Sequence, residues 1–129
     1  MGSEYTFYDY VGGGGTNAIR VWLDGLPVKA RAKFKRRLLA LEGTRPGDWT
    51  RPLVDTLSGH CRGLFAVRVR DDKQHRILGA HMDRTPILLH GFDKPGKKVD
   101  TQECDRAFSR LADVNGDPQK YRVEHNYDD

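Results

Sequence analysis

The sequence predicts an α+β fold in the order β-α-α-β-β-β-α, and three observations carry that prediction. Residues 28–41 place Ala30, Phe34, Leu38 and Leu41 on one helical face, the spacing with which a helix buries a stripe. Residues 64–70 alternate, with Phe65, Val67 and Val69 on one side and Ala66, Arg68 and Arg70 on the other, which is the period of a strand. Residues 87–92 form a nearly unbroken apolar run, which suits a central strand covered on both faces.

Each element follows in chain order. Residues 5–11 are aromatic and β-branched and run into Gly12-Gly13-Gly14-Gly15, so they read as a strand that ends in a loop. Residues 17–23 are a short helical stretch closed by Leu26-Pro27, and the helix over 28–41 comes next. The two make an αα-hairpin for packing on a sheet. Residues 43–52 are rich in Gly, Pro, Asp and Thr and read as a loop, with Trp49 pinning it to the core. The strand over 64–70 turns at Asp71-Asp72-Lys73-Gln74, residues 75–81 run back, and a turn at 82–86 leads into 87–92. The three strands form an antiparallel meander. Asp100 with Glu103 three residues on looks like a helix start, the carboxylate reaching back to free backbone donors, and Ala107, Phe108 and Leu111 continue the stripe. The expected domain spans residues 1–114. Residues 115–129 are polar without a periodic apolar face and are expected to be loose or to order only on a partner.

Composition narrows the function. A chain of 129 residues has room for one modest core, and a mean hydropathy of −0.70 requires that core to come from a few apolar runs. No basic segment followed by an apolar one opens the chain, and no run suits a membrane span. Cys61 and Cys104 lie outside any CxxC or Cys/His spacing typical of zinc, so no metal or cofactor is expected; they read as free thiols in a reducing, cytoplasmic compartment. The formal charge of +4 tilts the chain toward a polyanionic partner. Basicity is local: residues 60–98 hold Arg62, Arg68, Arg70, Lys73, Arg76, Arg84, Lys94, Lys97 and Lys98 against Asp71, Asp72, Asp83 and Asp93.

Two stretches invite a chemical reading. Gly13-x-Gly15-x-x-Ala18 sits between a strand and a helix, as a dinucleotide fingerprint does, but that fold needs a crossover to a parallel strand ending in an acid. Here the helix stops at Pro27 and another follows, so the glycines read as a connector. The basic meander is more informative. Arg68 and Arg70 share one strand face and Arg76 lies at the start of the next strand. Guanidinium groups bind phosphate in a bidentate way and can stabilise charge that grows on a phosphorane. His75, His90, Lys94, Lys97 and Lys98 lie nearby in sequence and are able to transfer protons or neutralise a leaving oxygen. An alternating arginine pair is also what a solvated strand face looks like, and His60 and His81 read as ordinary histidines.

In order and spacing, Leu26-Pro27 with its basic helix, Leu64-Phe65-Ala66-Val67-Arg68-Val69, His75-Arg76-Ile77-Leu78 and Leu88-Leu89-His90-Gly91-Phe92-Asp93-Lys94 resemble the RelE/HigB toxin superfamily, in particular its phage-derived Gp49-like branch. The resemblance covers roughly residues 17–112. It implies a RelE-like fold, a curved, mainly antiparallel sheet packed on an N-terminal αα-hairpin and a C-terminal helix. It also implies a type II toxin, a metal-independent endoribonuclease that cuts mRNA on the ribosome by attack of a ribose 2′-OH on the adjacent phosphate. Carried over by position, Arg68, Arg76 and Lys94 contact the phosphate and the transition state, with proton transfer assigned to His90 or Lys94. Arg70, Lys73, His75, Lys97 and Lys98 fall to RNA binding, although His75 stands where relatives often carry an aromatic. The implied partners are mRNA, the ribosome with its 16S rRNA, and a helix-turn-helix antitoxin. The basic helix over 28–41 suits either rRNA or an acidic antitoxin segment. Competing readings are a non-catalytic phage or host-interaction protein, a topoisomerase poison, and a plain RNA-binding module.

Overall fold

The computed structural model describes residues 5–51, 53–94 and 100–127. Among them the chain forms β1 (Tyr8–Tyr10), α1 (Ala18–Asp24), α2 (Val28–Glu42), β2 (Val54–Thr56), β3 (Phe65–Arg70), β4 (Gln74–Met82), β5 (Thr85–Asp93), α3 (Thr101–Gly116), α4 (Pro118–Tyr121) and β6 (Arg122–Glu124). The six strands make one open sheet in the order β2-β3-β4-β5-β1-β6. Neighbours are antiparallel except β1 with β5, which run parallel. The α+β class, the αα-hairpin and the central meander match the sequence reading.

The sheet is covered on both faces. Phe65, Val67, Val69, Ile77 and Leu88 pack against Ile19, Leu23, Phe34, Leu38 and Leu41 of α1 and α2. On the other face Ala66, Leu78, Ile87 and Leu89 meet Cys104, Ala107 and Val114 of α3. The alternation in β3 therefore separates two cores rather than a core from water. Between Leu78/Gly79 and β5 the register shifts, so that Leu78 faces His90 while Gly79 faces Leu88 and Leu89 is the extra residue. This bulge turns both Leu89 and His90 toward α3, and the Leu89 carbonyl accepts a hydrogen bond from Arg110 Nη1 at 2.8 Å. Gly91 lets α1 approach: a Cβ there would lie 2.3 Å from the Trp22 ring.

The caps and turns have local causes. Asn17 Oδ1 accepts from Arg20 N at 2.8 Å at the start of α1. Trp49 Nε1 donates to the Leu41 and Thr44 carbonyls at 3.1 and 2.9 Å, satisfying acceptors that a helix end leaves open and fixing the loop as expected. The β4–β5 hairpin turns on Asp83 and Arg84, both with positive φ, 50° and 68°, the twist that a two-residue hairpin loop requires.

Three expectations are corrected, and one strand is added. Cys61 and Cys104 are not free thiols but a disulfide, Cα–Cα 5.5 Å, across 43 residues; their pairing needs the turn at Gly59–Cys61 brought against the first turn of α3, which no local pattern encodes. Residues 117–127 are not loose: β6 pairs antiparallel with β1, and His125 is buried with its backbone N donating to the Phe7 carbonyl at 2.9 Å. The tail orders because β1 would otherwise present an unpaired edge. A further strand, β2, falls among residues to which the sequence reading assigned no element, three residues being too few to show alternation. Finally, Asp100 makes no side-chain cap bond and Glu103 does not reach back, because its carboxylate answers the buried His90.

Candidate functional site

Strand register assembles the basic residues. Arg68 lies opposite Arg76, and Arg76 opposite Phe92; directly opposed residues share a face. Two positions along, Arg70 is opposite Gln74, whose carbonyl accepts from Lys94 N at 2.9 Å. Arg68, Arg70, Arg76 and Gln74 thus stand in two adjacent rows on the α3 face of the sheet.

The rows open into two neighbouring clefts. One, of 560 Å³, is lined by Arg51, Asp55, Ser58, His60, Arg68 and Arg76 among others. The second, of 460 Å³, is lined by Arg70, Lys73, Gln74, Asp93 and Lys94 with Asp72. Gln74 joins them, since its Oε1 accepts from Arg76 Nη2 at 2.8 Å. Arg68 and Arg76 therefore converge as expected, while Lys94 sits in the adjoining cleft beside Arg70 and Lys73, its Nζ 3.4 Å from Asp100 Oδ2.

Electrostatics favour an anion in the first cleft. Arg68 Nε donates to Asp55 Oδ2 at 2.6 Å, and Arg51 Nε to Asp55 Oδ1 at 2.7 Å. One carboxylate faces three guanidinium groups once Arg76 is counted, which leaves surplus positive charge. Burial pushes the Arg76 guanidinium below its ordinary value, the Arg68 charge adds to this, and Asp55 opposes it. Arginine stays protonated through shifts of this kind. A buried, oriented guanidinium in a low-dielectric wall acts more strongly on an incoming phosphate than one in water.

The predicted histidines lie elsewhere. His75 points to the α1 face, 2 % exposed, between Asp93 Oδ1 at 2.7 Å and Asp71 Oδ1 at 2.9 Å, edge-on to Trp22. It packs, as its aromatic counterpart would. His90 lies under α3, its Nε2 2.8 Å from Glu103 Oε2, stacked on Phe92. Burial holds its imidazole below the ordinary value, against the pull of Glu103, and it lines neither cleft. Lys97 and Lys98 lie outside the described residues. Sequence reading missed Arg51 and Asp55, since β2 carries no periodic signal, and dismissed His60. Among the described residues no group of three or more His, Cys, Asp or Glu is disposed to hold a metal ion, and no helix is long and apolar enough to cross a membrane.

Fold and cleft together define a small α+β protein with paired arginines on one face of a mostly antiparallel sheet. The chain belongs to the phage-derived Gp49-like protein family (DUF891), whose model matches residues 21–112, a family of the RelE/HigB-like toxin superfamily. No curated protein matches the chain.

Proposed function

We propose that the chain is the toxin of a type II toxin–antitoxin pair, with a RelE-like fold, and that it is a ribosome-dependent mRNA endonuclease. The observation that carries this reading is the convergence of Arg68 and Arg76 in one cleft of a family commonly related to toxins. In this reading Arg76, buried and steered by Gln74, contacts a non-bridging phosphate oxygen, and Arg68, held by Asp55, contacts the second. Lys94, Arg70 and Lys73 in the adjoining cleft take the flanking phosphate. Such fixed cations stabilise charge that develops in the transition state without reorganising, and the ribosome orients the message.

A further groove, 380 Å³, between α1, α2 and the C-terminal segment supports the partner reading. Its floor is Leu23, Phe34 and Leu38 and its rim includes Arg31 and Lys35, which suits an acidic amphipathic segment of an antitoxin with a helix-turn-helix domain. The remaining basic residues of α2 suit 16S rRNA.

A second reading is favoured by Asp55, whose carboxylate stands among the arginines and competes with phosphate: a binding protein without catalysis, acting on a host or phage component, on a topoisomerase, or as an RNA-binding module. Primer extension on ribosome-bound messages, with and without induction, separates the two. Induction of the wild type should arrest growth and leave translation-dependent cuts. Arg76→Ala should cost about 3 kcal/mol of transition-state stabilisation, by analogy with losing one oxyanion donor, and relieve the arrest. Arrest without cuts supports the binder, and DNA damage in its place a topoisomerase target.

A further inference from the structure

His60, which lines the arginine cleft, is paired with a carboxylate that the sequence offered no reason to join to it. His60 Nε2 lies 2.5 Å from Asp105 Oδ1, both side chains more than half exposed. The residues next to them, Cys61 and Cys104, are bonded to each other. One covalent link thus fixes both backbones, the 3-10 turn Gly59–Cys61 and the first turns of α3 (Thr101–Gly116). Gly59, at φ 63°, lets the chain enter that turn. His60, Cys61 and Thr101 line the same cleft as Arg68 and Arg76. An exposed ion pair contributes about 1 kcal/mol at most, and beside a disulfide it is not needed to hold the two segments together.

We propose that His60 is the general base of this cleft, that Asp105 is its positioning residue, and that the Cys61–Cys104 bond keeps the pair aligned; the proposal rests on the nuclease reading above. With Nε2–H donated to Asp105, the lone pair lies on Nδ1, a tautomer assigned from the hydrogen bond. Nδ1 takes the proton of the ribose 2′-OH while the 2′ oxygen bonds to phosphorus. The bond from phosphorus to the 5′ oxygen breaks, its electron pair leaves on that oxygen, and solvent water protonates it. His60 then returns its proton to solvent. The products are a 2′,3′-cyclic phosphate and a 5′-hydroxyl. No oxidant, reductant or other co-reactant enters. Asp105 stabilises the imidazolium, and Arg68 and Arg76 offset the charge on phosphorus.

His60 pairs with Asp105 from α3 and lines the same cleft as Arg51, Asp55, Arg68 and Arg76. A pH profile separates a base from a structural contact, because removing a base changes the profile and removing a structural contact does not. The test is single-turnover cleavage of messages on programmed ribosomes by the oxidised full chain, comparing wild type, His60→Gln, Asp105→Asn and Arg76→Ala across pH. His60→Gln should slow cleavage at least about 100-fold, the usual share of a general base, lose the acid limb, and leave message affinity and Tm unchanged. Asp105→Asn should slow it by a smaller factor, about tenfold or more, as outer partners of a reactive group do. Reduction with dithiothreitol should lower the wild-type rate and add little to the loss in His60→Gln. Wild-type rate and pH profile in His60→Gln, with Arg76→Ala inactive, overturn the assignment and leave the nuclease reading standing. Absence of cleavage by the wild type overturns both.

Discussion

At the β6 edge of the sheet, Asp9 accepts from Asn17 Nδ2 at 3.0 Å and pairs with His125 Nδ1 at 2.7 Å, while Tyr127 donates to Glu42 Oε2 at 2.5 Å and Phe7 N donates to the same oxygen at 3.2 Å. At the β2 edge, Asp55 faces Arg51, Arg68 and Arg76. The first cluster is buried or half-buried and matches donors to acceptors; in the second, Asp55 and Arg76 are buried while Arg51 and Arg68 open to solvent, and cations are in surplus. Both place a carboxylate among donors. A balanced network rigidifies the fold, and a surplus of fixed charge beside a cleft is available to a ligand. Both have buried carboxylates, so the balance of charge decides which one a polar cluster becomes.

Substitutions that disturb the packed regions should therefore cost stability, and those in the cleft activity. The largest stability effect belongs to the bond beside the cleft. Replacing Cys61 and Cys104 together by Ser reopens a loop of 43 residues, which chain entropy values at about 4 kcal/mol. Urea unfolding of the oxidised wild type against the double variant measures it, and an unchanged midpoint would refute the crosslink as a stabiliser. Next comes Asp9→Ala, which strands His125 in the core at about 3 kcal/mol, read as a lower Tm with the fold retained. Arg76→Ala should show the opposite signature, with cleavage lost and any change in Tm smaller than that of Asp9→Ala.

Acid sensitivity sharpens the contrast. His90 titrates below its ordinary 6.5 in the native state, chiefly because it is buried, whereas the unfolded chain binds the proton more readily. The stability that comes from keeping it neutral is therefore complete above about pH 6.5 and is lost as pH falls through its native value. His90→Gln should flatten that part of the curve of unfolding midpoint against pH. Smallest is Arg84→Gly. Arg84 holds φ at 68°, a left-handed conformation that costs a side chain about 1 kcal/mol, so the variant should unfold at slightly higher temperature. A lower Tm would mean that the turn is held by contacts of the Arg84 side chain.

Patterns that repeat over short distances were legible in the chain. The stripe Ala30, Phe34, Leu38, Leu41 faces the sheet as its period requires, and all four are buried. The alternation in 64–70 marks both faces of β3, and the apolar run 87–92 is the doubly covered β5. Arg68 and Arg76 were readable as partners because an antiparallel hairpin converts sequence spacing into register. Tertiary structure alone decided the rest. Asp9 meets His125 across 116 residues, and His60 meets Asp105 across 45. Neither pair lies within one periodic element, so no local pattern announces it. His75 and His90 looked alike in the chain, yet register and a bulge send them to opposite faces, one to Trp22 and one to α3. Hydrophobic periodicity is a local property of the backbone geometry, whereas the pairing of remote polar groups such as His60 and Asp105 depends on where distant segments are brought together.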